Sequence, residues 1–574
     1  MIGTVARVLA LLLLVVSCTS VEALSPVPDP LDGVDPERIG DWSAVWDERD
    51  GLSLFSWTDG ERFIVNTADG ERDFVAGVNL GVTVPGHFPG ELAVDAETYR
   101  RWFSQIASIG FTAIRVYTML EPHFYEELAA HNTANPHHPL YLVQGVWPPE
   151  EEFLDLGDLY GGTVTEEFES EIDALVGVVH GDATVPTRPG RADGAYTADV
   201  SPWLLAWAVG IEWDPIAVKH TDATNAGMDP FSGRYFTADS DSTPTESWMA
   251  QMLDHLARRL AERGSTMPLS FVNWTTTDPL HHPDEPNPEE DMVSIDPMNV
   301  RATEAWPGGY FAGYHIYPYY PDFQRFEEGV ADFLREGEPD AYAGLLTEFV
   351  RHHRGVPLVV LEYGVPSGMA KAHEGPQGRD QGDHTEQRQA EINAELLSII
   401  AEVGLAGGYQ FAWADEWFKL TWNTMDFEVA DRRPLWMNAW TNEAHFGILA
   451  VEPGATQRIV LDGDGSEWNG ESQVIFEGTG AVREVSVTHD EGYLYLRVVT
   501  DEPESWRSDP ITIVFDVIEG SAGALPDHPR VDSNGDYALR IAGDDAELLV
   551  RSSADPLMIH GYVSAGPGEL DEGN

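Results

Sequence analysis

The sequence predicts an α/β protein built on a TIM (β/α)8 barrel, with an N-terminal β-hairpin and a C-terminal β-sandwich. Three observations carry this. Eight short apolar runs, each ending in polar or aromatic residues, alternate with helical patterns between Phe74 and Trp413. Just upstream, Asp59-Gly60 and Asp69-Gly70 punctuate alternating apolar runs, a strong hairpin signal. Past Val451 the pattern becomes alternating and rich in turns. A chain of 574 residues also exceeds one ordinary domain.

The barrel strands are expected at Phe74–Asn79, Ala113–Tyr117, Leu140–Gln144, Leu205–Glu212, Leu269–Asn273, Phe311–Tyr317, Leu358–Glu362 and Gly408–Trp413. Helical periodicity is clearest over Ala96–Ile109, Glu166–Val179, Glu246–Arg263 and Glu386–Val403. Alternation of this kind gives a closed parallel barrel rather than an open sheet, with long loops such as Asp278–Thr303 at the strand C-termini. The upstream runs Leu52–Trp57 and Phe63–Asn66 form a hairpin placed to close the barrel bottom. Beyond the barrel, Val482–Thr488, Tyr493–Val499, Ile511–Val517 and Tyr537–Ile541 read as sandwich strands. So few strands before Asn574 leave room for an incomplete sandwich. The expected divisions are 1–23 signal peptide, 24–36 linker, 37–450 barrel with its hairpin, and 451–574 sandwich.

The N-terminus reads as an export signal. Arg7 precedes the apolar run Val8–Val16, too short for the roughly 20 residues that span a bilayer. Val15-Val16-Ser17-Cys18 resembles a bacterial lipobox, and Cys18, the only cysteine, has no partner for an internal disulfide. The alternative is a plain secretory signal cut after Val21-Glu22-Ala23. Either reading places the protein outside the cytoplasm, secreted or anchored to the cell membrane as a lipoprotein. Leu24–Pro36, rich in Pro and Asp, is a tether. The formal net charge of −64 disfavours nucleic acid and anionic lipid surfaces as partners. Membrane contact is therefore expected only through the lipid anchor. A neutral substrate and salty surroundings fit such a field.

Two glutamates end apolar strands. Glu212 follows Leu204-Leu205-Ala206-Trp207-Ala208-Val209-Gly210-Ile211, and Glu362 follows Pro357-Leu358-Val359-Val360-Leu361. An acidic residue at such a strand end faces the open top of a barrel, where catalytic groups sit. The fourth and seventh strands lie across the barrel from each other, so the two carboxylates converge. A lone strand-end Glu is more often a cap or an ion-pair partner; the pair is more specific.

From Phe74 to about Met425 the sequence resembles the clan of (β/α)8 glycoside hydrolases that includes β-mannanases, cellulases, β-galactosidases and β-glucuronidases. That resemblance implies Glu212 as acid/base and Glu362 as nucleophile. It also implies Arg115, in Ile114-Arg115-Val116-Tyr117, beside the nucleophile, and His315 and Tyr317 as the His-x-Tyr of strand six. Trp413 is the implied aromatic ending strand eight under the sugar. One position departs from the pattern: the Asn usually preceding the acid/base is Ile211 here. Such an Asn bonds the sugar 2-hydroxyl, and Asn273 is the substitute donor considered. In this chemistry one carboxyl must be protonated while the other is ionised. Arg115 would keep Glu362 ionised, with Tyr317 donating to it. A retaining pair sits ~5–5.5 Å apart and an inverting pair wider.

Trp147, Trp213, Trp274, Tyr319, Trp417 and Trp422 are further sugar platforms or, equally, packing residues. Asp415 and Glu416 bind hydroxyls or are solvated. The pairs His137-His138, His281-His282 and His352-His353 lack metal-ligand spacing and read as surface residues; no metal or cofactor is expected. Leu461-Asp462-Gly463-Asp464-Gly465-Ser466-Glu467-Trp468 resembles the opening of family-nine-like carbohydrate-binding modules. A calcium role for Asp462 and Asp464 is weaker than a simple Asp/Gly turn. The expected activity is a retaining β-glycoside hydrolase or transglycosylase acting on oligo- or polysaccharides. The competing reading is a catalytically lapsed, glycan-binding surface lipoprotein, which Ile211 favours. A third is a barrel of unrelated chemistry.

Overall fold

The computed structural model describes residues 40–425, 438, 440–451, 459, 465–468, 472–490, 493–501, 510–515, 535, 537–542 and 545–550. These fall into two compact units, one ending at Leu449 and one beginning at Ala450. The export signal, Cys18, the tether, Asp462 and Asp464 lie outside the described residues. Among the described residues no helix is long and apolar enough to cross a membrane.

The first unit is the expected barrel. Its strands are β1 (Val75–Asn79), β2 (Ala113–Val116), β3 (Tyr141–Val146), β4 (Leu204–Val209), β5 (Leu269–Trp274), β6 (Ala312–His315), β7 (Leu358–Tyr363) and β8 (Gly407–Gln410). They pair in parallel, each with the next, and β8 closes on β1. In β3, β4 and β7 every residue is buried, which explains their unbroken apolar runs. Around them stand α1 (Ala96–Ser108), α2 (Pro122–Ala134), α3 (Glu150–Leu156), α4 (Val164–Val179), α5 (Pro215–Thr224), α6 (Pro244–Glu262), α7 (Ala341–His352) and α8 (Glu386–Val403). Five of them start where a side chain accepts from a free N–H group of the first turn. Asp95, Asp214, Thr243, Asp340 and Thr385 cap α1, α5, α6, α7 and α8.

Two strand ends differ from the sequence expectation. β4 stops at Val209 and β8 at Gln410, so Glu212 and Trp413 each lie three residues into a loop. The N-terminal hairpin is a three-stranded meander, Ser56–Asp59 with Arg62–Thr67 and then Gly70–Arg72. Both Asp-Gly steps therefore serve as turns between paired strands. The run Leu52–Trp57 breaks at Phe55, and its first part, Leu52–Leu54, pairs instead with Asp47–Arg49. The meander does close the barrel bottom. Phe63 meets Phe311 at 5.5 Å and Phe55 stacks on Tyr141 at 5.1 Å, among Val75, Val143, Leu205, Val359 and Ala406 at the strand starts. This leaves the opposite, C-terminal end as the open mouth.

The connection from β5 to β6 contains two 3-10 turns, Thr275–Thr277 and Pro297–Asn299, where other connections carry α-helices. Buried polar groups hold it. Glu246, in a capping box with Thr243, also accepts from the Asp296 N–H at 2.7 Å and from Asn299 at 3.0 Å. His282 sits between Asp278 (Nε2 to Oδ2, 3.2 Å) and Glu327 (Nδ1 to Oε2, 2.9 Å). At 3 % exposure it is no surface residue, and His353, at 1 %, is not either. His353 bonds the Tyr314 hydroxyl at 3.0 Å and the Phe349 carbonyl at 2.8 Å. Histidine spacing alone did not reveal that both pairs straddle a packed edge.

Among its described residues the C-terminal unit holds two antiparallel three-stranded sheets. One is Gln473–Glu477, Val482–His489 and Leu494–Thr500; the other is Ile511–Phe515, Tyr537–Ala542 and Asp545–Val550. Its four expected strands all occur. Ile459, Trp468 and Tyr495 form a small apolar cluster, and the Tyr495 hydroxyl donates to Asp490 at 2.7 Å.

Burial opposes a charge on His282, but hydrogen bonds to Asp278 and Glu327 and their charges push its pKa up to about 10. A raised folded-state value contributes stability that is complete below 6.5 and lost as pH climbs through 10. We therefore expect His282→Gln to lower stability at pH 6 by about 3–5 kcal/mol, the scale of breaking a buried pair. The deficit should narrow steadily up to pH 10, as followed by denaturant unfolding; a deficit independent of pH would contradict this.

Candidate active site

The open mouth of the barrel gathers a cluster centred on Glu362, near the end of β7. Parallel pairing of β6 with β7 shifts register after Tyr314, so Tyr314 faces Val360 but His315 faces Glu362, passing over Leu361. This bulge re-aims one side chain, a common device beside functional sites. His315 Nε2 lies 3.3 Å from Glu362 Oε1. From β2, Arg115 reaches the same oxygen at 3.3 Å and is itself fixed by Asn79 Oδ1 at 3.0 Å and the Leu361 carbonyl at 3.3 Å. The Tyr117 hydroxyl donates to Oε1 at 2.6 Å and the Tyr317 hydroxyl to Oε2 at 2.8 Å.

Glu362 is 6 % exposed and Arg115 1 %. Burial alone would raise the Glu362 pKa. His315 when protonated, the Arg115 guanidinium and the two tyrosine hydroxyls outweigh it and hold the carboxyl below the usual carboxylate value of 4.5. Burial raises both tyrosine hydroxyls far above their ordinary range, so they remain donors.

Glu212 arrives differently. Gly210, at φ +100°, turns the chain at the end of β4, and a Cβ there would come within 2.4 Å of the Trp213 ring. The turn buries Ile211 and Trp213 (5 % and 0 % exposed) and leaves the side chain of Glu212 between them 39 % exposed in the mouth. His315 Nδ1 lies 2.7 Å from Glu212 Oε1, so one imidazole hydrogen-bonds Glu212 and stands within ion-pair distance of Glu362. One ligand atom each from Glu212, His315 and Glu362 lie within 4.8 Å of one another.

A cleft of about 290 Å3 opens over this cluster, at the lower end of the range for small-ligand sites. Glu212, His315, Tyr317 and Glu362 line it, with the aromatic faces of Trp274, Tyr319, Tyr320, Phe411, Trp422 and Phe446. Burial holds His373, also in the wall, down to a pKa of about 4 and so neutral near pH 7. Polar groups that the sequence did not single out complete the wall: Gln381, Lys419, Thr421 and Glu443. Tyr117 had a signal, since the expected strand Ala113–Tyr117 puts it two residues beyond Arg115 and so on the same face. Lys419 and Glu443 sit in irregular loops, where no periodicity marks them.

Two expected residues do not line the cleft. Asn273 is fully buried and its amide is used internally. Nδ2 donates to the Ile295 carbonyl at 2.9 Å, while Oδ1 accepts from the Trp274 N–H at 2.9 Å and the Thr277 hydroxyl at 2.7 Å. It anchors the β5–β6 connection and has nothing to offer a sugar hydroxyl. Trp413 is 1 % exposed and packs into the large core cluster, its backbone N–H bonded to the Asn79 carbonyl at 2.9 Å. Because β8 ends early, Phe411 takes the place in the cleft wall. Trp213 is likewise core, its indole N–H held by Val272 at 2.9 Å. Trp147 and Trp417 do not line the cleft, whereas Trp274, Tyr319 and Trp422 do. Asp415 accepts from the Gly447 N–H at 2.8 Å, and Glu416 pairs with Lys419 at 2.9 Å.

Among the described residues two groups gather enough donors to consider a metal: Glu212 with His315 and Glu362, and Asp296 with His352 and His353. Both ring nitrogens of His353 already serve Tyr314 and Phe349, so it would have to give up a hydrogen bond to ligate.

No family model matches the chain, and no curated protein matches it. Solved structures resemble it loosely. An endo-laminarinase from Formosa Hel1_33_131 is 12 % identical over 65 % of this chain and 82 % of its own, with a TM-score of 0.36. GH5_18 from Streptomyces cattleya, in complex with GlcNAc, is 15 % identical over 65 % and 78 %, at 0.34. A GH113 beta-1,4-mannanase is 12 % identical over 59 % and 88 %, at 0.32. At such scores these likenesses carry no argument about chemistry, which rests on the geometry above.

Removing the cation beside a buried carboxylate leaves that charge uncompensated. Arg115→Met should cost about 3–5 kcal/mol at pH 7. Because Glu362 is held below 4.5, its contribution is present above that pH and lost as pH falls through the depressed value. The deficit of Arg115→Met should therefore shrink toward pH 4, and adding Glu362→Gln should recover much of it at pH 7. Thermal unfolding of the two single variants and the double variant measures both effects.

Proposed function

We propose that this chain is a retaining β-glycoside hydrolase or transglycosylase acting on oligo- or polysaccharides by double displacement. The observation that carries the reading is the unequal pair itself. Glu362 is buried, ringed by donors and kept ionised; Glu212 is partly open to the mouth, with oxygens of the two within 4.8 Å. A retaining pair needs about 5–5.5 Å between carboxyls, whereas an inverting pair leaves ~6.5–9.5 Å for a water.

In the first step an ionised Glu362 oxygen attacks the anomeric carbon while Glu212 gives its proton to the departing glycosidic oxygen. The bond to the leaving sugar breaks as the bond to Glu362 forms. In the second step Glu212, now ionised, takes a proton from water or from an acceptor hydroxyl, which displaces Glu362 and restores both groups. Arg115, Tyr117 and Tyr317 stabilise the Glu362 carboxylate before attack and as it leaves. His315, touching both carboxylates, keeps them in register as the proton shifts. The flanking aromatic faces suit the apolar faces of pyranose rings. On this reading Cys18 carries a lipid anchor or the chain is secreted, and the C-terminal unit holds the enzyme near its polysaccharide, raising effective concentration.

The test is hydrolysis of a panel of aryl β-glycosides, β-glucans and β-mannans by the protein and by Glu362→Ala, with azide added to the variant. Near-complete loss, restored by azide with release of an α-glycosyl azide, is the expected result. Glu212→Ala should lose about 10²–10⁴-fold, least with substrates whose leaving groups need no proton. Clear glycan binding without turnover by the unaltered protein would replace this reading with the lapsed-enzyme one.

A further inference from the structure

Three lysines occur in the whole chain, and among the described residues Lys419 alone of them lines the cleft. It sits beyond β8, with Nζ 4.4 Å from the centre of the Phe411 ring. Its ammonium pairs with Glu416 at 2.9 Å and lies 3.9 Å from Glu443 Oε2. Glu443 comes from a separate 3-10 turn, Asn442–Ala444, whose position is fixed by its N–H to the Thr421 hydroxyl at 3.0 Å. Its Oε1 accepts from the buried Gln381 amide, which the loop after β7 supplies. Three loops thus converge to hold one ammonium and one carboxylate side by side.

The two groups are not used up by each other. At 3.9 Å they are beyond hydrogen-bond contact, and their side chains are 30 % and 31 % exposed in the same cleft as Glu212 and Glu362. An ammonium carries three donors, and Glu416 takes one while Phe411 covers another direction. Glu443 Oε2 keeps free lone pairs. The cleft is therefore offered a strong donor and a strong acceptor, set apart by about the reach of neighbouring hydroxyls on one sugar ring. Charge narrows the choice further. With Glu416, the cluster holds two carboxylates to one ammonium, so an anionic substituent is repelled.

We infer that Lys419 and Glu443 form a sugar subsite that grips two adjacent hydroxyls of a neutral pyranose, selecting uncharged glycans over uronate-bearing ones. Lys419 donates to one hydroxyl, and Glu443 accepts from its neighbour. Each bond involves a charged group and leaves that group one hydrogen bond short if the hydroxyl is absent, which makes such contacts discriminating. The inference deepens the glycosidase reading and rests on it for the identity of the ligand. The arrangement also accounts for a lysine in a chain whose other cations are nearly all arginine: a compact ammonium fits one hydroxyl, whereas a guanidinium fork fits a planar anion.

The experiment measures binding by calorimetry and cleavage by reducing-end release, separately. The probes are neutral β-gluco- and β-manno-oligosaccharides and the same oligosaccharides oxidised to uronates at C6. Lys419→Met and Glu443→Gln should each weaken binding of the neutral oligosaccharides about tenfold or more. Glu443→Gln should also narrow the neutral-to-uronate preference, a ratio that a merely structural role would leave alone. Unchanged neutral binding in both variants would overturn the inference. So would a wild-type preference for the uronates that Lys419→Met abolishes, since Lys419 would then be an anion site. If the protein binds the oligosaccharides but cleaves none, the glycosidase reading fails while the binding ratios still decide the subsite.

Discussion

A negative charge inside the mouth of a barrel must be compensated, and in this protein the compensation of Glu362 dictates much of what surrounds it. A carboxylate at 6 % exposure gains little from water, so its charge is met by Arg115, by His315 when protonated, and by the hydroxyls of Tyr117 and Tyr317. Those groups come from β2, β6 and the segments just beyond them, so the requirement couples strands on different sides of the sheet. Arg115 in turn needs Asn79 on β1, whose side chain also bonds the Leu361 carbonyl at 2.8 Å beside Glu362. The register shift between β6 and β7 belongs to the same constraint, because only the shifted pairing sets His315 against Glu362.

The rest of the mouth is built to leave Glu212 in a contrasting environment. Gly210 lets the chain turn after β4 so that two apolar neighbours go inward and one carboxylate stays in the cleft. Two like groups thus meet unlike surroundings, Glu362 buried among donors and Glu212 open to the cleft. The loops supply rigidity at a distance: Asn273, Glu246 and His282 each spend buried hydrogen-bonding capacity on the long β5–β6 connection. That connection in turn presents Trp274 and Thr275 to the cleft.

Much of this was readable from the sequence, for definite reasons. Barrel strands buried on both faces must be apolar throughout, so all eight stood out, and a carboxylate ending such a run is conspicuous. Arg115, His315 and Tyr317 are implied by the resemblance rather than by the strand pattern, and all three lie against Glu362. What failed were the strand ends. A strand stops where backbone pairing stops, and the side-chain pattern of Gln410–Trp413 carries no mark of that. Trp413 was therefore placed under the sugar when it is core, and Phe411 was overlooked. Asn273 failed because its amide nitrogen is taken by a carbonyl in a loop twenty-two residues away, at Ile295. The buried His282 and His353 look like surface residues in the sequence because the groups that bury them come largely from other segments, which leaves no local period. Lys419 and Glu443 were invisible for the same reason, being brought together only by the packing of three loops.

The central claim is that Glu362 attacks the sugar from the face opposite Glu212, with no water between the two. The configuration of the first-formed product tests it most directly. For any β-linked glycan that the protein cleaves, proton NMR recorded from the first minutes should show the β-anomer appearing first, with the α-anomer growing in later by mutarotation. Initial release of the α-anomer would mean direct attack by water, and would contradict the account of Glu362 as nucleophile.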